Sequence, residues 1–460
     1  MRGDNPLWRA PPGSETLEAK IKAEDGMYTE LAMYIDGEWI GSAGRDSEPV
    51  INPATEKPLA TLPHASPADL DRALAAAERG FKTWRATSAY ERSRIMRKAA
   101  DIIRQRQEAI ARILTLEQGK VLAEARMEVA FTADIFDWYA EEGRRSYGRI
   151  VPARVPGVRQ MMVQEPVGPC AAFTPWNFPG VTPARKIGGA LGAGCSLIIK
   201  ASEETPGTCV ELVRAFHEAG LPKGVLNLVF GVPSRISEHL IASDIIRKVS
   251  FTGSVPVGKH LTKLAAEGMK RTTMELGGHS PVVVFADADP EKSAEMAAAG
   301  KYRNAGQVCI SPTRFYVQES VHDRFVKRFV DIAKNLKLGD GLADGTTMGP
   351  LANPRRLDAM EGFLADARKR GAEILAGGTR HGNQGFFFAP TVVSNIPDDS
   401  RLMTEEPFGP VAPITSFKTF DEVVERANSL PFGLAAYTFT SSTRNANLIA
   451  DALLCAGERA

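Results

Sequence analysis

The chain has 460 residues, too many for one small core, so two or three domains are expected. Hydrophobic residues make up 43% and charged residues 24%, the balance of an ordinary globular protein. A formal net charge of +1 argues against a nucleic-acid or anionic-membrane surface, and no apolar run approaches the ~20 residues that span a bilayer.

Residues 1–30 are polar, contain Pro and Gly, and are expected to form a loose arm. Asp4, Glu15, Glu18 and Glu24, with no apolar stretch among them, argue against a secretory or transit peptide. MYIDGEWI (33–40) alternates like an edge strand closed by an Asp-Gly turn. Residues 67–146 read as helices, the first opened by Ser66-Pro67. RIVPARVPGVRQMMVQEPVG (149–168) reads as an extended hairpin outside either neighbour.

From 168 to 290 short apolar runs alternate with helical segments. The strand candidates are PCAAFT (169–174), SLIIK (196–200), VLNLVF (225–230), KVSFT (248–252) and PVVVF (281–285). One helix between them is well signalled, with Thr205 as N-cap, Pro206 first and Gly220 past the end. Buried, non-alternating strands separated by helices predict a parallel α/β sheet, which binds ligands beyond the carboxyl ends of its strands. A second, less regular α/β alternation runs from 311 to 448.

Five cysteines occur, at 170, 195, 209, 309 and 455. None has CxxC or zinc-ligand spacing, and no metal site is expected. The odd count argues against a disulfide framework, so a reducing cytoplasm is the expected location. No GxGxxG occurs either. GGALGAG (188–194) has the wrong spacing and reads as helix packing. FTGSVPVG (251–258) is the better candidate for a diphosphate, because Gly253 follows a strand and precedes a helix.

Two residues carry chemical promise alongside plain alternatives. Cys309 is either a buried structural cysteine or, given the Gly and amide in GQVC, a thiol on an exposed turn. Glu275 is either a solvated acid at a strand end or a base whose neighbouring Gly277 and Gly278 leave room for a ligand.

TPWNFPG (174–180), IIKASEETP (198–206), FTGS (251–254), MELGGHSP (274–281), GQVCISP (306–312) and EEPFGP (405–410) occur in this order, with GDGL (339–342) and MGPL (348–351) between the last two. In order and spacing they resemble the aldehyde dehydrogenase superfamily, and most of all its NAD-dependent succinate-semialdehyde dehydrogenases. The resemblance runs from about residue 30 to residue 450. It implies two parallel-sheet α/β domains, one Rossmann-like and cofactor-binding, the other catalytic, with an oligomerisation hairpin. The implied boundaries are 1–148 with 169–278 for the cofactor domain, 149–168 for the hairpin, and 279–450 for the catalytic domain, its C-terminal part incomplete.

The same resemblance implies roles. Cys309 is the nucleophile, Glu275 the base that activates water, and Asn177 the oxyanion donor together with the Cys309 N–H. Such a donor is worth about 3–4 kcal/mol in the transition state. Pro175, Trp176, Lys200, Glu203, Gly253, Ser254, Leu276, Glu406 and Phe408 are implied to hold the cofactor. The Glu203 carboxylate would repel a 2′-phosphate, which favours NAD, with NADP as the alternative. Glu275 favours hydrolysis to a free acid over CoA acylation. Position 311 is Ser, so the second redox cysteine of some relatives is missing. Arg185 and Arg303 match positions that clamp a remote carboxylate, which makes a small semialdehyde the expected substrate.

Relatives continue past NLIADAL (447–453) into a PFGG-type motif, a further substrate contact and a strand that completes a partner's sheet. Here LCAGERA follows instead. Truncation or a frameshift is therefore expected, and the homodimer or homotetramer of the family is placed in question. The alternatives are a dehydrogenase for another aldehyde, such as 2,5-dioxopentanoate or betaine aldehyde, or a non-catalytic remnant that still binds nucleotide.

Overall fold

The computed structural model describes residues 28–453, so most of the N-terminal arm, and Cys455, lie outside the described residues. The strands are β1 (Met33–Ile35), β2 (Glu38–Ile40), β3 (Ser47–Ile51), β4 (Pro58–Pro63), β5 (Arg149–Pro152), β6 (Arg159–Met162), β7 (Cys170–Phe173), β8 (Leu197–Lys200) and β9 (Leu226–Val229). They continue with β10 (Lys248–Gly253), β11 (Arg271–Leu276), β12 (Ser280–Val284), β13 (Pro312–Gln318), β14 (Glu373–Ala376), β15 (Thr391–Ser394), β16 (Val411–Phe417) and β17 (Tyr437–Phe439).

Seven strands form a first sheet in the order β11-β10-β7-β8-β9-β1-β2. It is parallel from β11 to β9 and closes with the antiparallel hairpin β1–β2. Its central strands are buried on both faces, as the apolar runs predict. Cys170, Ala172, Leu197 and Ile199 enter one core, while Ala171, Phe173, Ile198 and Phe251 enter the other. Six strands form a second sheet, β14-β15-β16-β13-β12-β17, parallel except for β14. PVVVF therefore supplies a strand of this second sheet and does not extend the first.

Edge strand β11 was not among the sequence candidates. RTTMEL is largely exposed and pairs with β10 alone, so it carries no buried apolar run to signal it. Asp36-Gly37 turns the β1–β2 hairpin, but its first strand is fully buried against β9, so the edge is β2.

The helices begin where their caps predict. Ser66 and Asp69 form a reciprocal capping box before the helix Pro67–Ala86. The helix Pro206–Ala219 starts after Thr205 and ends at Gly220 with φ 89°. Thr205 gives this helix no side-chain cap. Buried Glu117 does so from a distant helix, accepting from Gly207 N at 2.7 Å, Thr208 N at 2.9 Å and Thr208 Oγ1 at 2.5 Å. GGALGAG packs the helix Val181–Gly192 on the helix Leu122–Glu142. A Cβ at Gly188 would meet the Tyr139 ring at 2.6 Å, and one at Gly192 the Tyr139 carbonyl at 2.7 Å. Strands β5 and β6 pair only with each other and are exposed along their length.

Only Gly277–His279 separate the end of β11 from the start of β12. The carboxyl edge of the first sheet is thus tied directly to the amino edge of the second. MELGGHSP spans this junction, and TPWNFPG, IIKASEETP and FTGS lie at the carboxyl ends of β7, β8 and β10.

Candidate active site

Cys309 lies just before β13, on the chain that leaves the turn Arg303–Gly306. Asn304 and Ala305 in that turn both take φ 50°, a left-handed conformation costly for non-glycine residues, about 1 kcal/mol or more each. Neighbours hold the turn in place. Asn304 N donates to Glu124 Oε2 at 2.9 Å, and Asn304 Nδ2 donates to Asn177 O at 3.0 Å. The Gln307 side chain accepts from Ala352 N at 2.9 Å and donates to Asn304 O at 3.0 Å.

The Cys309 thiol is half-buried. Burial pushes it above the usual thiol range, the charges of Glu406 and Glu275 push it further, and the N–H groups of Ile310 and Cys309 oppose them. Its resting form is therefore the thiol, and a nucleophile at this position would need a place for its proton to go. Glu275 stands near the end of β11, exposed, opposite Thr252 of β10. Its charge reaches Cys309 on one side and buried Lys186 on the other, where burial lowers the ammonium to about 8.

Asn177 is buried in the loop after β7, and its Nδ2 donates to Gln307 O at 3.1 Å. One N–H of that amide is engaged this way and the second is left for another acceptor. The room beside Gly277 and Gly278 is taken by protein. Glu406 Oε1 accepts from Gly278 N at 3.3 Å, and a Cβ at Gly277 would lie 2.3 Å from Glu406 Oε2. A Cβ at Gly278 would lie 3.2 Å from Cys309 O. Glu406 itself is pushed up to about 7 by burial, against the pull of the Gly278 N–H, Arg356 and Lys301.

The remaining cofactor candidates lie at the carboxyl ends of β7, β8, β10 and β11, with Phe408 reaching Trp176 from the loop before β16. Pro175 and Trp176 follow β7 and are half-buried, and Trp176 meets Phe408 edge-on at 5.5 Å. Phe408 has φ 44°. Lys200 ends β8 and pairs with Glu203. Gly253 ends β10, and Ser254 opens the helix Val255–Glu267 without capping it. Leu276 packs over Gly258 of that helix. The uncapped N–H groups of this 13-residue helix offer donors suited to a diphosphate, and the partly exposed Glu203 carboxylate offers an acceptor suited to ribose hydroxyls. Among the described residues no group of three or more His, Cys, Asp or Glu is arranged to hold a metal.

The two arginines differ in placement. Arg303 is exposed, lies over the Phe178 ring at 5.6 Å, and acts with Cys309 on the Tyr437 hydroxyl. Arg185 is exposed on the helix Val181–Gly192, and its charge acts on Lys186. Neither has an ion-pair partner among the described residues, and no contact joins them.

An aldehyde dehydrogenase family model matches residues 39–458. The chain is 46% identical to 4-(hydroxymethyl)benzenesulfonate dehydrogenase TsaD1 of Comamonas testosteroni, over 91% of this chain and 87% of that one. It is 38% identical to succinate-semialdehyde dehydrogenase [NADP(+)] GabD of Escherichia coli K12, over 94% and 90%. The crystal structure of succinate-semialdehyde dehydrogenase from Burkholderia pseudomallei superposes with a TM-score of 0.92 at 40% identity, covering 94% of this chain and 90% of that one.

The chain belongs to the aldehyde dehydrogenase family.

It is accordingly an NAD(P)-dependent oxidoreductase that converts a small-molecule aldehyde to an acid, and its α/β architecture is that of the family. No helix among the described residues is long and apolar enough to cross a membrane.

One part of this dehydrogenase's site has no motif to announce it. Lys120 Nζ donates to Glu128 Oε2 at 2.6 Å and to Asn177 O at 2.9 Å, and lies 4.0 Å over the Phe178 ring. Glu128 Oε1 accepts from Gly180 N at 2.8 Å. Both charges are almost fully buried. The pair thus clamps the Asn177 loop from behind. Its only sequence signal is a Lys and a Glu eight residues apart, the Glu on the buried face of a helix. Glu128→Ala leaves the ammonium buried and unpaired, and should cost about 3–5 kcal/mol. Urea unfolding of the variant measures this; a loss below ~1 kcal/mol would mean the pair behaves as a solvated one.

Proposed function

We propose that this dehydrogenase oxidises an aldehyde bearing a remote anion, a small semialdehyde of the succinate type. The carrying observation is Arg303, an exposed guanidinium over the Phe178 ring whose charge, together with that of Cys309, acts on the Tyr437 hydroxyl, and whose charged neighbour Glu124 forms no ion pair with it. An anion held there would leave its aldehyde end near the thiol.

In this reading the Cys309 thiol releases its proton to solvent as its sulfur attacks the carbonyl carbon, and the resulting oxyanion accepts from the Cys309 N–H and the second N–H of Asn177. The bond from Asn177 to Gln307 O fixes the plane of the amide. The bound dinucleotide supplies the hydride acceptor. Oxidation leaves the acyl group as a thioester on Sγ. Glu275 then takes a proton from the attacking water, releasing the acid and restoring the thiol. Pro175, Trp176, Lys200, Glu203, Gly253, Ser254, Leu276, Glu406 and Phe408 would bind the dinucleotide. Glu203 favours NAD over NADP, although its partner Lys200 offsets part of the repulsion. Residues 1–148 with 169–278 make the cofactor domain, 279–450 the catalytic domain, and 149–168 the assembly hairpin. Exposed Ile150, Met161 and Val163 support association of copies through that hairpin as a dimer or tetramer. Four free cysteines among the described residues support a reducing cytoplasm.

A sulfonated aromatic aldehyde is the second reading. The 46% relative is named for a benzenesulfonate. A sulfonate offers the same guanidinium its oxygens, and Phe178 beside Arg303 offers a ring face.

NAD(P)H formation with succinate semialdehyde, 4-formylbenzenesulfonate, betaine aldehyde and butanal tests both readings. Arg303→Ala and Arg185→Ala should raise the KM for the preferred anionic aldehyde by roughly ten- to a hundredfold, the worth of a charge-assisted hydrogen bond at about 1.5–3 kcal/mol. Butanal should be affected far less. Equal losses for charged and uncharged aldehydes would make the arginines structural and leave the substrate class open.

A further inference from the structure

The helix Pro354–Lys369 is capped by buried Asn353, whose side chain accepts from Arg356 N at 3.2 Å. The N-terminal end of this helix touches three of the loops described above. Ala352 N donates to the Gln307 side chain at 2.9 Å, two residues before Cys309. Asn353 Nδ2 donates to Glu204 Oε1 at 2.9 Å, and Arg355 pairs with the same carboxylate, one residue past Glu203. Arg356 Nη2 donates to Pro407 O, and its guanidinium lies 5.9 Å over the Phe408 ring. Met360, one turn further along the same face, closes on Gly409, where a Cβ would lie 2.3 Å from its sulfur. A Cβ at Gly306 would lie 2.1 Å from Gly409 O, so the segment Pro407–Gly409 is wedged between this helix and the turn that carries the thiol.

Phe408 has φ 44°, a left-handed backbone that a ring-bearing residue keeps only where its surroundings impose it. Arg356 is half-buried, yet it commits an N–H to a backbone carbonyl while its Nε finds no partner among the described residues. Glu406 acts on it by charge but forms no ion pair with it. What this guanidinium holds is the carbonyl immediately before Phe408 and the Phe408 ring itself. We propose that Arg356 is a positioning residue for Phe408: through the Pro407 carbonyl and the ring it keeps the backbone left-handed and the ring edge-on to Trp176 at 5.5 Å, as a wall for the nicotinamide half of the dinucleotide. This rests on the reading of Phe408 as a cofactor contact. Without the bond to Pro407 O the strained backbone loses a holder, the segment relaxes, and the ring leaves Trp176.

Binding of NAD and of AMP, which lacks the nicotinamide half, is compared by calorimetry in wild type, Phe408→Leu, Arg356→Met, Arg356→Lys and the double variant of Arg356→Met with Phe408→Leu. Phe408→Leu and Arg356→Met should each weaken NAD by roughly five- to tenfold and leave AMP unchanged. The double variant should be no worse than Phe408→Leu alone, because Arg356 acts through that ring. Arg356→Lys, which keeps a donor for the Pro407 carbonyl, should recover most of the affinity. In steady state Arg356→Met should raise the KM for NAD and leave the KM for the aldehyde unchanged. If Phe408→Leu weakens NAD and Arg356→Met does not, the role of Arg356 is overturned. If the two losses add, Arg356 is an independent contact and the proposal fails. Equal losses for NAD and AMP in Arg356→Met would mean general packing, and would overturn it as well. If Phe408→Leu leaves NAD binding unchanged, the cofactor reading of Phe408 falls first and this proposal with it. Should Arg356→Met fail to fold, Arg356→Gln provides the uncharged comparison.

Discussion

Cys309→Ala should reduce aldehyde oxidation by roughly 10⁴-fold or more, the scale of losing a catalytic nucleophile, and leave dinucleotide affinity intact. The two functions separate because they occupy different elements. The thiol sits before β13, while the uncapped helix and the Lys200–Glu203 pair stand at the ends of β10 and β8. The side chain is half-buried in a turn already held by Asn304, Gln307 and Glu124, so its loss should hardly alter the fold. Steady-state NAD(P)H formation and calorimetric titration with NAD give the two readouts. Retained oxidation would remove Cys309 from the mechanism; lost NAD affinity would show that the turn, and not only the thiol, had been disturbed.

Glu275→Gln should allow one turnover and then stall. Gln keeps the size of the side chain and removes its basicity, so acylation of Cys309 proceeds and water attack on the thioester does not. A burst of NAD(P)H about equal to enzyme should precede a steady state slowed by roughly 10²–10⁴-fold. The acyl mass on Cys309 should be detectable during the stall. The structure adds a discriminating case, because the Glu275 charge also reaches Cys309. If Glu275 accepts the thiol proton as well, the burst itself slows. An unchanged steady-state rate without a burst would assign water activation to another group, and Lys186, lowered to about 8 beside Glu275, would be the first to examine.

Residue type and spacing made the elements and motifs legible. Buried apolar runs show their strands because a two-sided sheet requires continuous hydrophobicity, and β7, β8, β9 and β10 follow accordingly. Ser66 and Gly220 mark helix ends because capping is a local matter of backbone donors and φ. β11 escaped because an exposed edge strand has no second face to bury, although it carries Glu275.

What depended on long-range contact was invisible in the sequence. Glu117 caps a helix ninety residues away, a relation no local pattern expresses. Gly277 and Gly278 announced space, but only the folded chain shows Glu406 filling it. Lys120 and Glu128 stand eight residues apart with no motif around them, and only burial sets them behind Asn177. Lys301 stands a few residues before GQVCISP, and only the folded core encloses its ammonium. The sequence by itself determined the order of the elements and the kinds of side chain available for chemistry, because propensity, capping and periodicity act within a few residues. Tertiary structure alone decided which charges lost their water and which partners they found, because desolvation depends on everything that packs around a group.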